Sequence, residues 1–509
     1  MLRTLPLLIA LAFAAAACDT DPVADCPEGP GCPDPAFDPS TVDYDTVTSL
    51  DYATTVQPLL AARDPFGFAQ ASAYAYDRLL DSDAGAAIIP FDAANSPLVR
   101  LATQALAPGL SAPYPRVDTF EDDEVRLIER WIEDGARGPD GQPGYADASR
   151  LLYVCNQLAG RVAVVDVDRR RTVRLVHFEA LGQPANAKPH HVVASGGAWY
   201  VTLIDGTDGG SVLKMDASLL LDPADPATVL AEETPTDGEA TFQKPGMLAL
   251  DAARGRLYAG RSFSNVGSTG VAAFGDLSAL TYEVFTPRDL VHPHAIGVSA
   301  DGDFVYTAAL ASSGGQTRVT VLEASTGDTV QELSVPGELS FVSFAVAERD
   351  PYVALTSQTG GALYVFDVAD GGTLSLRHAV PVGSQPWHPV LAPAAPTAYV
   401  PNRLSDTVSV VDLESGRVTR TITNPRFSQP HGSAVSADGA LLFVSSRNLG
   451  MTSPDGAVGY RPPLRFVVDG VEEPEDLYGN VAVLDAATGA EIAVVQQGRF
   501  ASGLAYLER

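Results

Sequence analysis

Cysteine, methionine and basic side chains are all scarce in this chain of 509 residues. It has four Cys and four Met, and 63 acidic residues against 33 Lys and Arg give a formal net charge of -30. So large a negative charge argues against nucleic acid or an anionic membrane surface as a partner. No histidine precedes His177, and no methionine lies between Met1 and Met215. The chain before His177 therefore offers no imidazole and, after Met1, no thioether as a ligand for haem iron.

The motifs of common enzyme classes are also absent. The chain has no G-x-S-x-G, no H-E-x-x-H, no P-loop and no strand-linked G-x-G-x-x-G. No loop carries the alternating Asp series of a calcium site. Carboxylates are so abundant that their proximity in the sequence indicates little about acid–base chemistry. We therefore favour a binding or interaction role over an enzymatic one.

The N-terminus combines Arg3 with an apolar run over residues 5–17 that is too short to span a bilayer. The run ends in Ala15-Ala16-Ala17-Cys18, which resembles the bacterial lipoprotein signal. That resemblance implies a signal peptide over residues 1–18, a lipid anchor on Cys18 and a place in the cell envelope, periplasmic or surface-exposed. The alternative is an ordinary secretory signal.

An Asp- and Pro-rich stretch over residues 19–45 is typical of a tether. Within it, Cys26 and Cys32 flank Pro-Glu-Gly-Pro-Gly. Outside the cytoplasm, two cysteines this close predict a small-loop disulfide. Cys155 remains, and we expect it to be a small hydrophobic residue on a buried strand.

Residues 46–140 have a helical pattern. Residues 56–63 are apolar at helical spacing, Ser96-Pro97 is typical of a helix start, and Thr119-x-x-Asp122 resembles a capping box. A further helix should bury one face until Gly135 ends it. The residues of that face are Val125, Ile128, Trp131 and Ile132.

The order of these pieces resembles a family of small c-type cytochrome domains, in which C-x-x-C-H follows the first helix. Here residues 64–68 read Asp-Pro-Phe-Gly-Phe, and Tyr114-Pro115 occupies the place of the family's Met-Pro ligand. Covalent haem is therefore excluded, and no cofactor is expected in this domain. We expect Phe66, Phe68 and Trp131 to fill the volume that haem would occupy.

From residue 148 to 509 the chain repeats one phrase, a hydrophobic strand, a polar loop and a second strand ending in an acidic residue. A unit of this size holds about four short strands, which stack around an axis as propeller blades. The tail over residues 502–507 matches only a first strand, so we expect it to complete the blade begun by residues 151–153 and close the ring. The phrases begin at Tyr153, Tyr200, Tyr258, Tyr306, Tyr352, Tyr399 and Phe443.

These phrases resemble the YVTN-type beta-propeller repeats of bacterial and archaeal surface proteins. The expected fold is an all-β seven-bladed beta-propeller with a small N-terminal α-helical, cytochrome c-like domain. Propellers of this kind include lactonases, quinoprotein-like dehydrogenase subunits and adhesive modules, so the fold leaves function open. An insertion over residues 448–478 should project from the seventh repeat as a recognition element.

Five histidines follow a proline at the start of a predicted innermost strand, which places them around the channel mouth. Imidazoles from several blades could bind copper, zinc or iron, and Met247 in an equivalent position would favour copper. The alternative is a set of structural or solvent-facing histidines; His177 and His378 fall outside the pattern. The candidate metal ligands are His190, His191, His294, His388 and His431.

The preferred interpretation is a lipid-anchored envelope protein whose propeller binds a protein or glycan partner. The main alternative is a metal-dependent, copper-like oxidoreductase, or an electron-transfer accessory protein, that uses the histidine ring. A lactonase-like hydrolase is a third possibility, and it would need carboxylates and polar groups converging in the channel.

Overall fold

The structure is a computed structural model, and it describes most of the helical region and of the strand repeats. The described residues are 38–68, 70–82, 87–99, 120–206, 210–233, 244–261, 270–285, 292–311, 315–337, 339–346, 352–448, 467–468, 471–472 and 478–509.

Seven antiparallel sheets of four strands each form the blades, so the predicted seven-bladed propeller is confirmed. From the inside outward, blade 1 contains β30 (Ala501–Glu508), β1 (Arg150–Asn156), β2 (Arg161–Asp166) and β3 (Arg171–His177); blade 2 contains β4 (Pro189–Ser195), β5 (Ala198–Leu203), β6 (Ser211–Asp216) and β7 (Val229–Glu233); blade 3 contains β8 (Pro245–Asp251), β9 (Arg256–Arg261), β10 (Val271–Asp276) and β11 (Thr281–Phe285). Blade 4 contains β12 (Pro293–Val298), β13 (Phe304–Ala309), β14 (Gln316–Glu323) and β15 (Thr329–Pro336); blade 5 contains β16 (Phe341–Val346), β17 (Tyr352–Ser357), β18 (Ala362–Val368) and β19 (Leu374–Pro381); blade 6 contains β20 (Val390–Leu391), β21 (Thr397–Asn402), β22 (Thr407–Asp412) and β23 (Arg417–Thr423). Blade 7 contains β24 (Pro430–Val435), β25 (Leu441–Ser446), β28 (Tyr478–Asp485) and β29 (Glu491–Arg499), with a short hairpin of β26 (Val467–Val468) and β27 (Val471–Glu472) between β25 and β28.

The two ends of the propeller meet in blade 1, as the sequence predicts. The C-terminal strand β30 pairs with β1 in a register that sets Leu507 opposite Leu151 and Ala505 opposite Tyr153. The hydroxyl of Ser445 in blade 7 donates a hydrogen bond of 2.7 Å to the carbonyl of Ser502 in β30. The closure removes two sheet edges that would otherwise be exposed.

Helical segments precede the propeller and share one hydrophobic core. They include α1 (Gln57–Arg63), α2 (Tyr76–Asp81) and α3 (Asp122–Glu133), with a π-helical turn at Tyr52–Val56 and 3₁₀ turns at Pro39–Thr41 and Ala71–Tyr74. Residues 97–99, which follow the predicted helix start at Ser96-Pro97, are also helical. The four predicted face residues of α3 are all buried, and Gly135 follows the helix with a φ of 94°. Trp131 is fully buried in this core, and Phe66 and Phe68 pack against it.

The start of α3 differs from the prediction. The helix begins after Glu121, whose backbone N–H donates to the carboxylate of Glu124 at 2.9 Å, so the capping box uses this pair and not Thr119 with Asp122. Thr119 lies outside the described residues. Glu124 also forms an ion pair of 2.8 Å with Arg63, which joins α1 to α3. A capping box needs a second side chain three residues after the cap. Thr119 with Asp122 and Glu121 with Glu124 both have this spacing, so the spacing alone did not identify the start of the helix.

The helical region packs against the outer strands of blade 1. Arg171 at the start of β3 donates to the carbonyl oxygens of Leu80 and Ser82 at 2.6 and 2.9 Å. The His177 imidazole lies 3.0 Å from the Asp92 carboxylate. His177, which the sequence placed outside the propeller pattern, therefore contributes to this contact.

Several predicted features lie outside the described residues. These are the signal peptide, Cys18, Cys26, Cys32, Tyr114-Pro115 and most of the insertion over residues 448–478. Within the ranges that the structure describes, no helix has the length and apolar character needed to cross a membrane. Cys155 is described, and it is fully buried on β1, as expected.

Candidate functional site

Most inner strands contain a register shift near their first residue, and this shift directs the histidines into the channel. Pairing between β4 and β5 passes from Pro189 opposite Leu203 to Val192 opposite Val201, so the residues in between leave the regular register. The same break follows the prolines that begin β8, β12 and β24. A bulge of this kind changes the direction of a side chain. In β4 the residues within the bulge are His190 and His191.

All five predicted histidines converge, and together we call them the histidine cluster. The ring centroids of His190 and His294 lie 5.6 Å apart, and those of His190 and His388 lie 6.1 Å apart. His388 also lies 5.6 Å from His191 and 4.6 Å from His431. Four blades therefore supply imidazoles to one small volume.

Hydrogen bonds fix the protonation of two of these rings. The Nδ1 of His294 lies 2.7 Å from the carbonyl oxygen of Val342, which can only accept, so Nδ1 carries the proton and Nε2 keeps a lone pair. His191 is the opposite case, because its Nδ1 accepts from the backbone N–H of Leu248 at 3.2 Å. The remaining nitrogen of His191 therefore carries a proton and acts as a donor.

The other imidazoles have buried nitrogens without a hydrogen-bond partner. These are Nε2 of His190, both nitrogens of His388 and Nδ1 of His431. Nδ1 of His190 lies 3.4 Å from the side-chain oxygen of Gln157. Buried polar atoms normally have partners, so several orphaned nitrogens in one cluster are unusual.

Burial keeps the imidazoles of the cluster neutral. It lowers the pKa of His294 to about 4 and that of His191 to about 3. Burial also lowers the pKa of His190, His388 and His431 well below the ordinary range, and the neighbouring imidazoles and Arg447 add to the effect. At neutral pH the cluster therefore offers lone pairs instead of positive charge, which is the form that binds metal ions.

Two arginines near the cluster were not predicted from the sequence. The guanidinium carbon of Arg447 lies 3.4 Å from the ring centroid of Phe500, and that of Arg403 lies 4.8 Å from the ring of Trp387. Both aromatic rings flank His431, at 5.0 Å for Trp387 and 6.0 Å for Phe500. The polar region around the cluster thus extends into blades 6 and 7.

Beyond His191 the channel opens into a cavity of about 520 Å³. Its walls are the later residues of the inner strands, which are mostly small and apolar, including Ala194, Ala345 and Ala434. A cavity of this size accepts a small molecule. Ligands inside it would meet the N–H of His191.

Two observations bear on the predicted metal site. In the described ranges, no three His, Cys, Asp or Glu side chains already converge as the ligands of one ion. Met247 does not join the cluster; it is buried in the hydrophobic layer between blades 3 and 4, with Tyr258 and Ile296. The thioether argument for copper over zinc therefore has no support from the structure.

Comparison with known proteins supports the type of propeller. A family model described as "Lactonase, 7-bladed beta-propeller" matches residues 227–456. This stretch runs from the end of blade 2 into blade 7, and over it the chain is similar to the lactonase type of seven-bladed propeller. A search of the curated proteins found no match.

Two solved structures are similar in part. One is hydrazine synthase from Kuenenia stuttgartiensis, with 15% identity, a TM-score of 0.46 and coverage of 61% of this chain and 91% of that chain. The other is a candidate 6-phosphogluconolactonase from Bacteroides fragilis, with 15% identity, a TM-score of 0.48 and coverage of 72% of this chain and 100% of that chain. At these values neither structure informs the chemistry of the channel.

Proposed function

We propose that the propeller binds a d-block metal ion, copper or zinc, through the histidine cluster. The orphaned nitrogens of His190, His388 and His431 are the observation that carries this proposal. Leaving a buried polar group without a partner costs about 1–3 kcal/mol. A metal ion would satisfy several of these groups at once, and imidazole is a common ligand for both metals.

The ring spacing is compatible with this role. With metal–nitrogen bonds of about 2.0 Å, the centres of neighbouring imidazole rings around one ion lie about 5 Å apart. The centroids of His190, His294, His388 and His431 are linked by separations of 4.6 to 6.1 Å. Since no three of the described side chains are yet placed to ligate one ion, binding requires at least one ring to reorient.

Each candidate histidine ligand has one ring nitrogen held by a hydrogen bond or a buried nitrogen without a partner. The Val342 carbonyl holds Nδ1 of His294 and directs its Nε2 lone pair away from the backbone, which is a common arrangement around metal-binding histidines. Gln157 is placed to do the same for His190. His191 has its Nδ1 occupied, so it serves as a hydrogen-bond donor to a molecule in the cavity. When bound, the ion would supply Lewis acidity or, as copper, a one-electron couple.

A second candidate function is lactone hydrolysis, which the family match over residues 227–456 favours. Water attack on a lactone needs a general base, and neutral histidine can serve. Among the described residues, the ionisable groups that lower the pKa of His190, His388 and His431 are imidazoles and arginines, and no carboxylate is one of them. We therefore rank this function second.

The setting of the propeller is part of the proposal. A signal over residues 1–18 and a lipid on Cys18 would hold the protein in the cell envelope. The helical region would be a cytochrome c-like domain without haem, with Trp131 in its core and Phe66 and Phe68 packed against that core. A protein or glycan partner would bind at the propeller face.

The test uses the full chain, stripped with a chelator and then titrated separately with Cu(I), Cu(II) and Zn(II). We expect about one ion per chain, bound tightly enough to survive desalting. The double variant His294→Ala/His431→Ala should lose the ion, whereas His378→Ala should keep it, because His378 lies half-buried on β19, the outermost strand of blade 5, where its imidazole bonds the carbonyl of Glu414. Failure of every ion to bind, or equal binding by the double variant, would overturn the proposal. Hydrolysis of simple lactones by the metal-free protein would favour the second candidate.

A further inference from the structure

One backbone position recurs at the mouth of the channel in six of the blades, as far as the chain is described. It is the residue that follows the second strand, and its N–H donates to the carbonyl of the residue just before the inner strand begins or, in blade 6, just before Pro386, which forms a bridge with Asn402. We call this position the mouth slot. It is described in six blades, and it holds Gln157 in blade 1, Ile204 in blade 2, Leu310 in blade 4, Gln358 in blade 5, Arg403 in blade 6 and Arg447 in blade 7.

The two arginines occupy the mouth slots of neighbouring blades. Arg403 N–H donates to the Gln385 carbonyl at 2.9 Å, and Arg447 N–H donates to the Gln429 carbonyl at 3.2 Å. Gln385 and Gln429 have φ values of 53° and 55°, and the residues just before β8, β12 and β30 also have positive φ, so this turn is a feature of the repeat that fixes the position of the mouth slot. The fold thus sets two guanidinium groups side by side, next to Gln157 in blade 1.

Neither guanidinium is neutralised by the described part of the chain. No described carboxylate forms an ion pair with Arg403 or Arg447, although many other arginines have one. The Nε atoms of both are buried without a partner, and Arg447 is only 7% exposed. Burial, and then the charge of Arg403, lowers the pKa of Arg447, which shows that the two cations are close.

The aromatic rings and the Gln385 side-chain oxygen, which accepts from Nη2 of Arg403, do not remove the repulsion between two partly buried cations, and a bound anion would relieve it. A guanidinium keeps its proton at neutral pH, so the site holds two like charges in partial burial. The chain has 63 acidic residues, yet none of the described ones forms an ion pair with either arginine. The Nε1 of Trp387 is a further buried donor without a partner, and the Trp387 ring lies under Arg403.

We infer that Arg403 and Arg447, with Trp387, form a binding site for the oxyanion group of a small molecule, a carboxylate or a phosphate. Guanidinium groups present parallel N–H donors that match the oxygen pairs of these anions. The site adjoins His431, so the rest of the molecule would reach the histidine cluster. It does not depend on the proposed metal ion, because its donors are separate from the imidazoles.

The test uses the full chain without metal, so that its outcome is independent of the metal proposal. Sodium acetate and inorganic phosphate are titrated by calorimetry at constant ionic strength, with chloride as the balancing anion. We expect saturable binding of at least one of them, weakened at least tenfold in Arg403→Gln/Arg447→Gln. Binding of acetate would identify a carboxylate ligand, and binding of phosphate alone a phosphate ester.

A matched control is available at Arg377, which also stacks on an aromatic ring, at 5.2 Å from Tyr352, but is paired with Asp367 at 2.8 Å. Arg377→Gln should leave anion binding unchanged. Far-ultraviolet circular dichroism and the melting temperature show whether each variant is folded. The inference is overturned if neither anion binds the wild-type chain, or if a folded double variant binds as the wild type does.

Discussion

The imidazole rings of His388 and His431 lie 4.6 Å apart, between their centroids, inside the channel of the propeller. They come from blades 6 and 7, and Nδ1 of each ring is buried without a hydrogen-bond partner. The edge-to-face contact of the two rings contributes about 0.5–1.5 kcal/mol, which does not offset the cost of several buried nitrogens without a partner. The unpartnered nitrogens are better explained by a ligand that binds between the two blades.

Replacing His388 by Phe should stabilise the metal-free protein. Both nitrogens of His388 are buried and unsatisfied, so an apolar ring of similar shape removes a penalty of about 1–3 kcal/mol. In the presence of saturating metal, the same variant should be less stable than the wild type, because a ligand is lost. Denaturant unfolding with and without a chelator measures both effects.

His294→Phe is the control for that experiment. Its Nδ1 donates a 2.7 Å hydrogen bond to the Val342 carbonyl, so its removal leaves a buried acceptor unsatisfied. We expect His294→Phe to destabilise the metal-free protein. If both variants destabilise it equally, His388 has a structural partner and the ligand interpretation of the cluster is contradicted.

The closing strand β30 passes so close to Gly432 that a side chain at this position should destabilise the propeller. A Cβ on Gly432 would lie 2.1 Å from the carbonyl oxygen of Ser502, where blade 7 meets the closing strand β30. Gly432→Ala should therefore cost about 1–3 kcal/mol of stability. Gly275→Ala, at a strand end where nothing lies within 4 Å, should be neutral or slightly stabilising. Equal melting temperatures for the two variants would mean that Gly432 and the Ser502 carbonyl are not in close contact.

The contact between the helical region and blade 1 should weaken in acid. Burial would raise the pKa of Asp92, but the hydrogen bonds and charge of His177, with Asn95, bring it below its ordinary range. A lowered folded pKa gives stability that is present above the unfolded value of about 3.9 and is lost as the pH falls through the folded value. Asp92→Asn should lose this contribution, about 1–3 kcal/mol, at pH 7.

The measurement is the free energy of unfolding of wild type and Asp92→Asn between pH 7 and pH 2. The two curves should approach each other as the pH falls below about 4. Asp45→Asn, which breaks an exposed pair with Arg126, should produce a smaller change across the range. A constant difference between wild type and Asp92→Asn down to pH 2 would contradict the pairing.

Thiol labelling tests the predicted cysteine chemistry. Burial raises the pKa of Cys155 and removes it from solvent, so the native protein should not react. If Cys18 is acylated as proposed, three free or disulfide-bonded cysteines remain, since the total is four. If Cys26 and Cys32 form a disulfide, unfolding without reductant should expose about one thiol, and reduction about three. Three thiols without reductant would exclude the disulfide.

Much of the fold could be predicted from the sequence. The recurring pattern, which begins at Tyr or Phe and ends at an acidic residue, corresponds to the second and third strands of every blade. Residues 502–507 match a first strand alone, and this partial repeat predicts the closure of the ring. The five histidines follow a proline at one point of the repeat, so their convergence followed from the symmetry of the propeller. These features are local patterns repeated at regular spacing, which a sequence reveals directly.

The remaining features depend on contacts that local patterns do not contain. A bulge follows the proline of most inner strands, so it changes the alternation of side chains, and Met247 enters the layer between blades instead of the channel. Arg403 and Arg447 occupy a position defined by a backbone hydrogen bond to a residue about 18 positions earlier. The pairing of Asp92 with His177 joins two regions that the sequence treats separately.

Anomalous X-ray scattering at the copper and zinc absorption edges, from crystals of the metal-loaded protein, tests the central claim most directly. The account predicts one anomalous peak within about 2.0–2.3 Å of imidazole nitrogens of His190, His294, His388 and His431, or at least three of them. A loaded crystal whose only peaks lie elsewhere on the surface, or whose cluster is unchanged and without a peak, would contradict it.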